Sequence, residues 1–244
     1  MSAARVAACV TVVQDQEALA SAAADRIAAE LRAAVAQRGR ADLALAGGTT
    51  PRRAYEIVAQ RHGTTLPWPQ IHIWFGDERC VPPTDRDSNF GAAEQALLRH
   101  VALPPANVHR MIGEAADRDA AARDYERALP AALDLLLLGI GPDGHTASLF
   151  PGADALSESV RRVVAVIGPK PPPHRLTITP PVIAAARTVL VLAAGADKGA
   201  AVARALAASA PPNEIPACLM RTRDWLLDRA AAAAIETSNG RRDA

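Results

Sequence analysis

Aromatic side chains are scarce here: three Phe, three Trp and two Tyr supply 3% of 244 residues. Rings cannot fill the core, so the abundant Ala has to do it with Val, Leu and Ile, which calls for closely approaching helices. Cysteine is equally sparse. Cys9, Cys80 and Cys218 are odd in number, far apart and without metal-ligand or redox spacing, which argues against a disulfide framework and for a reducing compartment. No charge of one sign dominates, because 27 Lys and Arg nearly cancel 26 Asp and Glu. With no global field to draw the protein to nucleic acid or an anionic membrane, an anionic ligand must be held by a local cluster. No apolar run approaches the roughly 20 residues of a membrane-spanning helix, and the Val-rich run after Arg5 stops at Gln14-Asp15, too soon for a secretory leader. The expectation is a cytoplasmic protein with residues 1–244 in one domain and no nucleic-acid or membrane partner; its oligomeric state is left open.

Short β-branched or Leu-rich runs alternate with helical patterns, the signature of βα units around a mostly parallel sheet. Strands are predicted at Arg5–Val13, Asp42–Ala46, Ile71–Phe75, Val108–Met111, Asp134–Ile140, Val163–Ile167, Arg175–Thr179 and Thr188–Ala193. In the first helix Leu19, Ala23, Ile27, Leu31 and Val35 recur every four residues, with Asp15 to cap it and Gly39 to end it. Further helices are predicted at Pro51–Arg61, Phe90–Arg99, Asp117–Leu129, Pro180–Ala186, Asp197–Ala208 and Thr222–Ala234. The run from Gly168 to Pro173 holds four prolines and reads as a stiff loop. The tail from Ser238 to Ala244 reads as frayed.

Five stretches carry chemistry. Leu43 to Ala46 run into Gly47-Gly48-Thr49-Thr50-Pro51, which aims backbone N–H groups and a helix dipole at one point, a phosphate-binding geometry. Trp74-Phe75-Gly76 is followed by Asp77-Glu78-Arg79, three charges at the carboxyl end of a strand, where open α/β sheets place ligands. Ser88 reads as the cap of the next helix. The segment Asp134 to Pro151 contains a G-x-G-x-x-G string at Gly139 to Gly144, but Asp143 would set a carboxylate where a dinucleotide pyrophosphate sits, and Pro151 cuts short the helix that should receive it. What remains is Asp143-Gly144-His145, a carboxylate and an imidazole on a glycine loop. No second histidine at helical spacing supports a metal there. The other five histidines read as structural. Arg175 at a strand edge and Lys198 in a first helical turn, where the dipole disfavours it, complete a cationic set.

In their order and spacing, Gly47 to Pro51, Asp77 to Arg79 with Val81-Pro82 and Ser88-Asn89, Gly139 to Pro151, Arg175 to Thr179, Gly195 to Lys198 and the closing Trp225 to Asp228 resemble the 6-phosphogluconolactonase family over nearly the whole chain. Thr49 departs from the family's usual serine but keeps a hydroxyl. The resemblance implies a modified Rossmann-like α/β fold, a mostly parallel sheet with helices on both faces, shared with sugar-phosphate isomerases and deaminases. It also implies hydrolysis of 6-phospho-D-glucono-1,5-lactone, a step of the oxidative pentose phosphate pathway, with no metal or organic cofactor and with a phosphorylated sugar lactone as partner. On that basis His145, Asp143 and Arg79 are the expected catalytic residues. Gly47, Gly48, Thr49, Thr50, Arg175 and Lys198 are expected on the phosphate, and Asp77 and Gly144 on the substrate. Glucosamine-6-phosphate deaminases are similar at several of these motifs, but they follow Asp-Gly-His with Asn-Glu-Pro-Gly. Here the string is Leu149-Phe150-Pro151-Gly152, and Phe150 cannot do the acid/base work of that glutamate. A sugar-phosphate-sensing module of the same fold would carry a helix-turn-helix, and the chain opens on a strand instead.

Overall fold

The computed structural model describes residues 9–239. In chain order the elements are β1 (Cys9–Val13), α1 (Gln16–Arg38), β2 (Ala41–Leu45), α2 (Thr49–His62), β3 (Ile71–Phe75), β4 (Asp77–Arg79), α3 (Asn89–Ala96), α4 (Arg118–Ala128), β5 (Leu135–Gly139), β6 (Val163–Ile167), β7 (His174–Ile178), α5 (Pro180–Ala185), β8 (Thr188–Ala193), α6 (Gly199–Leu206), β9 (Asp224–Asp228) and α7 (Arg229–Asn239). Six strands form a sheet in the order β1-β9-β8-β5-β2-β3, every pair parallel. Because side chains alternate across a strand, its apolar runs feed two cores. Leu43, Leu45, Leu135, Leu137, Leu190 and Leu192 face the core under α1, α2 and α3. Ala44, Leu136, Leu138, Val189 and Val191 face the other, closed by α4, α5, α6 and α7. The fold is α/β, a mostly parallel sheet with helices on both faces. None of the described helices is long and apolar enough to cross a membrane.

Helix α1 behaves as its sequence dictates. Asp15 Oδ1 accepts the Ala18 N–H at 2.9 Å, and Gly39 ends it in the left-handed conformation, φ 72°. Ser88 likewise accepts the Gly91 N–H at 3.0 Å to cap α3.

Several boundaries differ from the sequence reading. The strands at Val163 and Arg175 are not in the parallel sheet; with the short, charged β4 they form a separate antiparallel sheet, β4-β7-β6. Gly76 makes the switch, donating to Leu45 O at 2.9 Å in one sheet and accepting from Ile178 N at 2.9 Å beside the other. Val108–Met111 is no strand: Pro104 and Pro105 open a 3-10 turn, and the segment keeps a single bridge from Val108 to Ile73. The helix expected over Thr222–Ala234 begins as β9, because Trp225 and Leu227 fill one core while Leu226 fills the other, between β8 and β1. The helices expected from Asp197 and Phe90 each include a 3-10 turn, at Ala196–Lys198 and Leu98–His100. Arg5–Ala8 of the first strand, and all of the tail beyond Asn239, lie outside the described residues.

The only two tyrosines of the chain take matching places. Where β2 ends, buried Tyr55 accepts the Ala46 N–H and donates to the Ala46 carbonyl, both at 2.9 Å. Where β3 ends, buried Tyr125 accepts the Phe75 N–H at 2.7 Å and donates to its carbonyl at 3.1 Å. The strands part here, so their last peptide groups depend on a side chain for hydrogen bonds. Burial pushes both phenols well above their ordinary pKa, keeping them neutral and able to donate and accept at once.

Candidate active site

The carboxyl ends of β8, β5, β2 and β3 open onto a cleft of about 410 Å³, a size suited to a small molecule. Gly47, Gly48, Thr49, Thr50, Asp77, Arg79, His145, Arg175 and Lys198, dispersed over 150 positions of sequence, all line it. Asp143 and Gly144 do not line it and support it from behind.

On the β2 side, Gly48 precedes α2 with φ 103° and no side chain caps the helix. A positive φ of this kind favours glycine. The first-turn amides of α2, with no acidic residue in that turn, therefore offer donors and a positive dipole end to the cleft.

On the β5 side, His145 Nδ1 lies 2.5 Å from Asp143 Oδ1. The loop is wound tightly enough that a Cβ on Gly141 would overlap the imidazole, and Gly141 N donates to His145 O at 2.9 Å. Gly144, at φ 85°, is pressed against Ile215 and accepts from Ala217 N at 2.9 Å, so its role is to turn the loop. Ala147 holds φ 49°, a left-handed conformation strained for a residue with a Cβ, within the tight turn from Thr146 to Leu149. Partial burial alone would raise the Asp143 carboxyl; its hydrogen bond to His145 and the imidazole charge outweigh this and hold it below its ordinary pKa. No helix starts directly after Gly144, the next helical piece being a 3-10 turn at Asp154–Ser157, so the G-x-G-x-x-G string lacks the helix N-terminus that a dinucleotide pyrophosphate needs.

The third wall is cationic. Arg79 and Arg175 stand opposite each other in the β4–β7 register. Each keeps a buried Nε–H without an acceptor. Arg175 is 8% exposed, and burial and then neighbouring Arg79 push its guanidinium below its usual pKa. Two like charges crowded in a wall and incompletely hydrogen-bonded favour an anionic ligand. Phe150 is wedged between this wall and His145, 5.0 Å from the imidazole between ring centroids and 5.6 Å from the Arg175 guanidinium carbon. Lys198 stands on the fourth side, 3.1 Å from Asp197. Its loop is fixed by Asp228, whose carboxylate accepts the Gly195 N–H at 3.0 Å and the Ala231 N–H at 2.7 Å.

Of the three charges after β3, Glu78 is the brace. Buried, it accepts the N–H groups of Arg79, Asn89 and Phe90 at 2.7 to 2.8 Å and the Ser88 hydroxyl at 3.1 Å. Burial raises its pKa, and those N–H bonds oppose the rise. Asp77 accepts from the Ser148 hydroxyl at 2.6 Å and from Asn89 Nδ2 at 3.0 Å. Sequence reasoning missed several cleft residues, among them Lys170, inside the proline run, Thr146, and Asn89, which it had left beside the Ser88 cap. Among the described residues no group of three or more His, Cys, Asp or Glu is placed to hold a metal ion.

Known proteins resemble this chain over most of its length. The chain is 40% identical to a Mycobacterium tuberculosis 6-phosphogluconolactonase over 241 residues, 92% of this chain and 97% of that one. It is also 40% identical to a Streptomyces coelicolor 6-phosphogluconolactonase, covering 94% and 95%. Among solved structures, the 6-phosphogluconolactonase of Leishmania guyanensis matches with a TM-score of 0.84 at 32% identity, over 94% of this chain and 99% of that one. A monomeric glucosamine-6-phosphate deaminase matches with 0.82 at 25%, over 93% and 99%. The family model described as glucosamine-6-phosphate isomerases/6-phosphogluconolactonase matches residues 14–227, and the chain belongs to that family.

Proposed function

We propose that this chain is a carboxylic ester hydrolase that opens 6-phospho-D-glucono-1,5-lactone to 6-phospho-D-gluconate, in the oxidative pentose phosphate pathway. The observation that carries the reading is the His145–Asp143 pair, 2.5 Å apart, at a cleft with a cationic wall. An ionised Asp143 accepts only, so it holds the proton on Nδ1 and leaves the Nε2 lone pair of a neutral imidazole for water. Water attacks the lactone carbonyl as His145 takes its proton. The tetrahedral oxyanion then collapses, the ring C–O bond breaks, and the imidazolium returns the proton to the departing ring oxygen. A lactone is already an activated ester, and no covalent nucleophile is needed.

In this reading the α2 amides, the Thr49 and Thr50 hydroxyls, Arg175 and Lys198 grip the phosphate. Arg79, expected from sequence as a catalytic residue facing the oxyanion or a sugar hydroxyl, stands beside Arg175 and in this reading joins it on the anionic group. Gly144 shapes the loop, and Asp77 acts on the substrate side of the cleft. The test is proton release in a pH-stat from freshly made 6-phosphogluconolactone, with gluconolactone lacking phosphate and glucosamine 6-phosphate as controls. Rapid turnover of the phosphorylated lactone alone supports the reading. Ammonia release from glucosamine 6-phosphate would replace it with deaminase chemistry.

A further inference from the structure

We infer that Asn89 reads the sugar: its Oδ1 accepts a hydrogen bond from a ring hydroxyl of the phosphorylated lactone. This rests on the function proposed above and adds a specificity-determining residue to it. Asn89 is buried at 6% exposure yet lines the cleft. Its Nδ2 donates to the Asp77 carbonyl at 2.9 Å and to Asp77 Oδ1 at 3.0 Å. Both are pure acceptors, so the amide can sit only one way round; flipped, its oxygen would face a carbonyl and a carboxylate. The clamp is itself held, since Ser148 donates to Asp77 at 2.6 Å and Asn89 N donates to Glu78 at 2.7 Å.

This fixed orientation turns Oδ1 to Gly47. A Cβ on Gly47 would overlap it, so the glycine is what admits the amide to the mouth of the cleft. No donor among the described residues meets Oδ1. A lone acceptor beside amides, arginines and lysines cannot welcome a phosphate or a carbonyl oxygen, which only accept. The neutral donors that a sugar lactone brings are its ring hydroxyls, and one of them completes the amide.

The experiment compares kcat/KM for the parent lactone and its 2-, 3- and 4-deoxy analogues in the wild-type enzyme and in Asn89→Ala. One analogue should cost the wild type about tenfold, the worth of one hydrogen bond, and cost the variant less than twofold, with KM rather than kcat carrying the difference. Equal penalties in the two proteins would overturn the inference. Should the variant fail to fold, the wild-type series still decides, because no single deletion costing more than twofold also overturns it. If the wild type does not turn over the parent lactone, the proposed reaction fails on its own. Calorimetric binding of 6-phosphogluconate and its deoxy forms then tests Asn89 by the same comparison.

Discussion

At the scale of residues, the site depends on atoms that are missing as much as on those present. Gly141 has no Cβ, and that absence lets the imidazole of His145 fold back onto Asp143. Gly141→Ala should displace the pair and lower kcat by about 100-fold, since an ångström of misplacement is enough to do so; thermal melting should move by only a few degrees. His145→Asn nearly keeps the size of the side chain and removes the proposed base, so kcat should fall by roughly 10²- to 10⁴-fold with an unchanged circular dichroism spectrum. Wild-type turnover in that variant would remove His145 from the mechanism. His145 was legible as a cleft residue because it sits on a glycine loop two residues from a carboxylate that can orient it. Asn89 was not, because the Ser88 cap already accounts for the start of the helix, and only the contact with Asp77, 12 residues away, sets its amide at the cleft. Lys170 was hidden in the same way, since a proline run announces stiffness and not direction.

At the scale of elements, the β3–α3 connection is braced chiefly by the buried Glu78 carboxylate. Glu78→Ala would strand the N–H groups of Arg79, Asn89 and Phe90, and should cost about 2–3 kcal/mol of stability, measurable by urea unfolding. Activity should fall further than stability because the same segment carries Arg79 and Asn89. The sequence marked Asp134–Ile140 as a strand, and Leu135–Gly139 forms one: a continuous apolar run fits a central position with both faces buried. It could not mark β4, whose strand character arises from pairing with Leu176 and its neighbours nearly a hundred residues on. Trp225 to Asp228 was misread for a related reason. An alanine-rich helix follows without a break, and local propensity extended that helix backward over a strand that tertiary pairing claims.

At the scale of the whole molecule, acid should weaken the fold in two stages. His72 Nδ1 and His109 Nε2 are 2.9 Å apart, with His109 stacked on Trp74 at 3.8 Å. Partial burial first, then Arg40, lowers the His72 pKa, and burial, His72 and Arg40 lower that of His109. A base depressed in the fold contributes stability that is present above its unfolded value and lost as pH falls from there toward the folded value. Melting temperature should therefore begin to drop below about pH 6.5, and His109→Phe should flatten part of that slope while keeping the stack. Asp143, a depressed carboxylate, also contributes above its unfolded value, but its share is lost only below about pH 4. The two tyrosine clamps set the last property. Ala46 and Phe75 close the strands beside the cleft, and their peptide groups are tied before any substrate arrives. The conformational entropy of the rim is thus surrendered during folding and not on binding. Amide hydrogen exchange should find Ala46 and Phe75 as protected in the free enzyme as in its product complex. Tyr55→Phe would shift part of that ordering onto the substrate, as faster exchange at Ala46 and a higher KM.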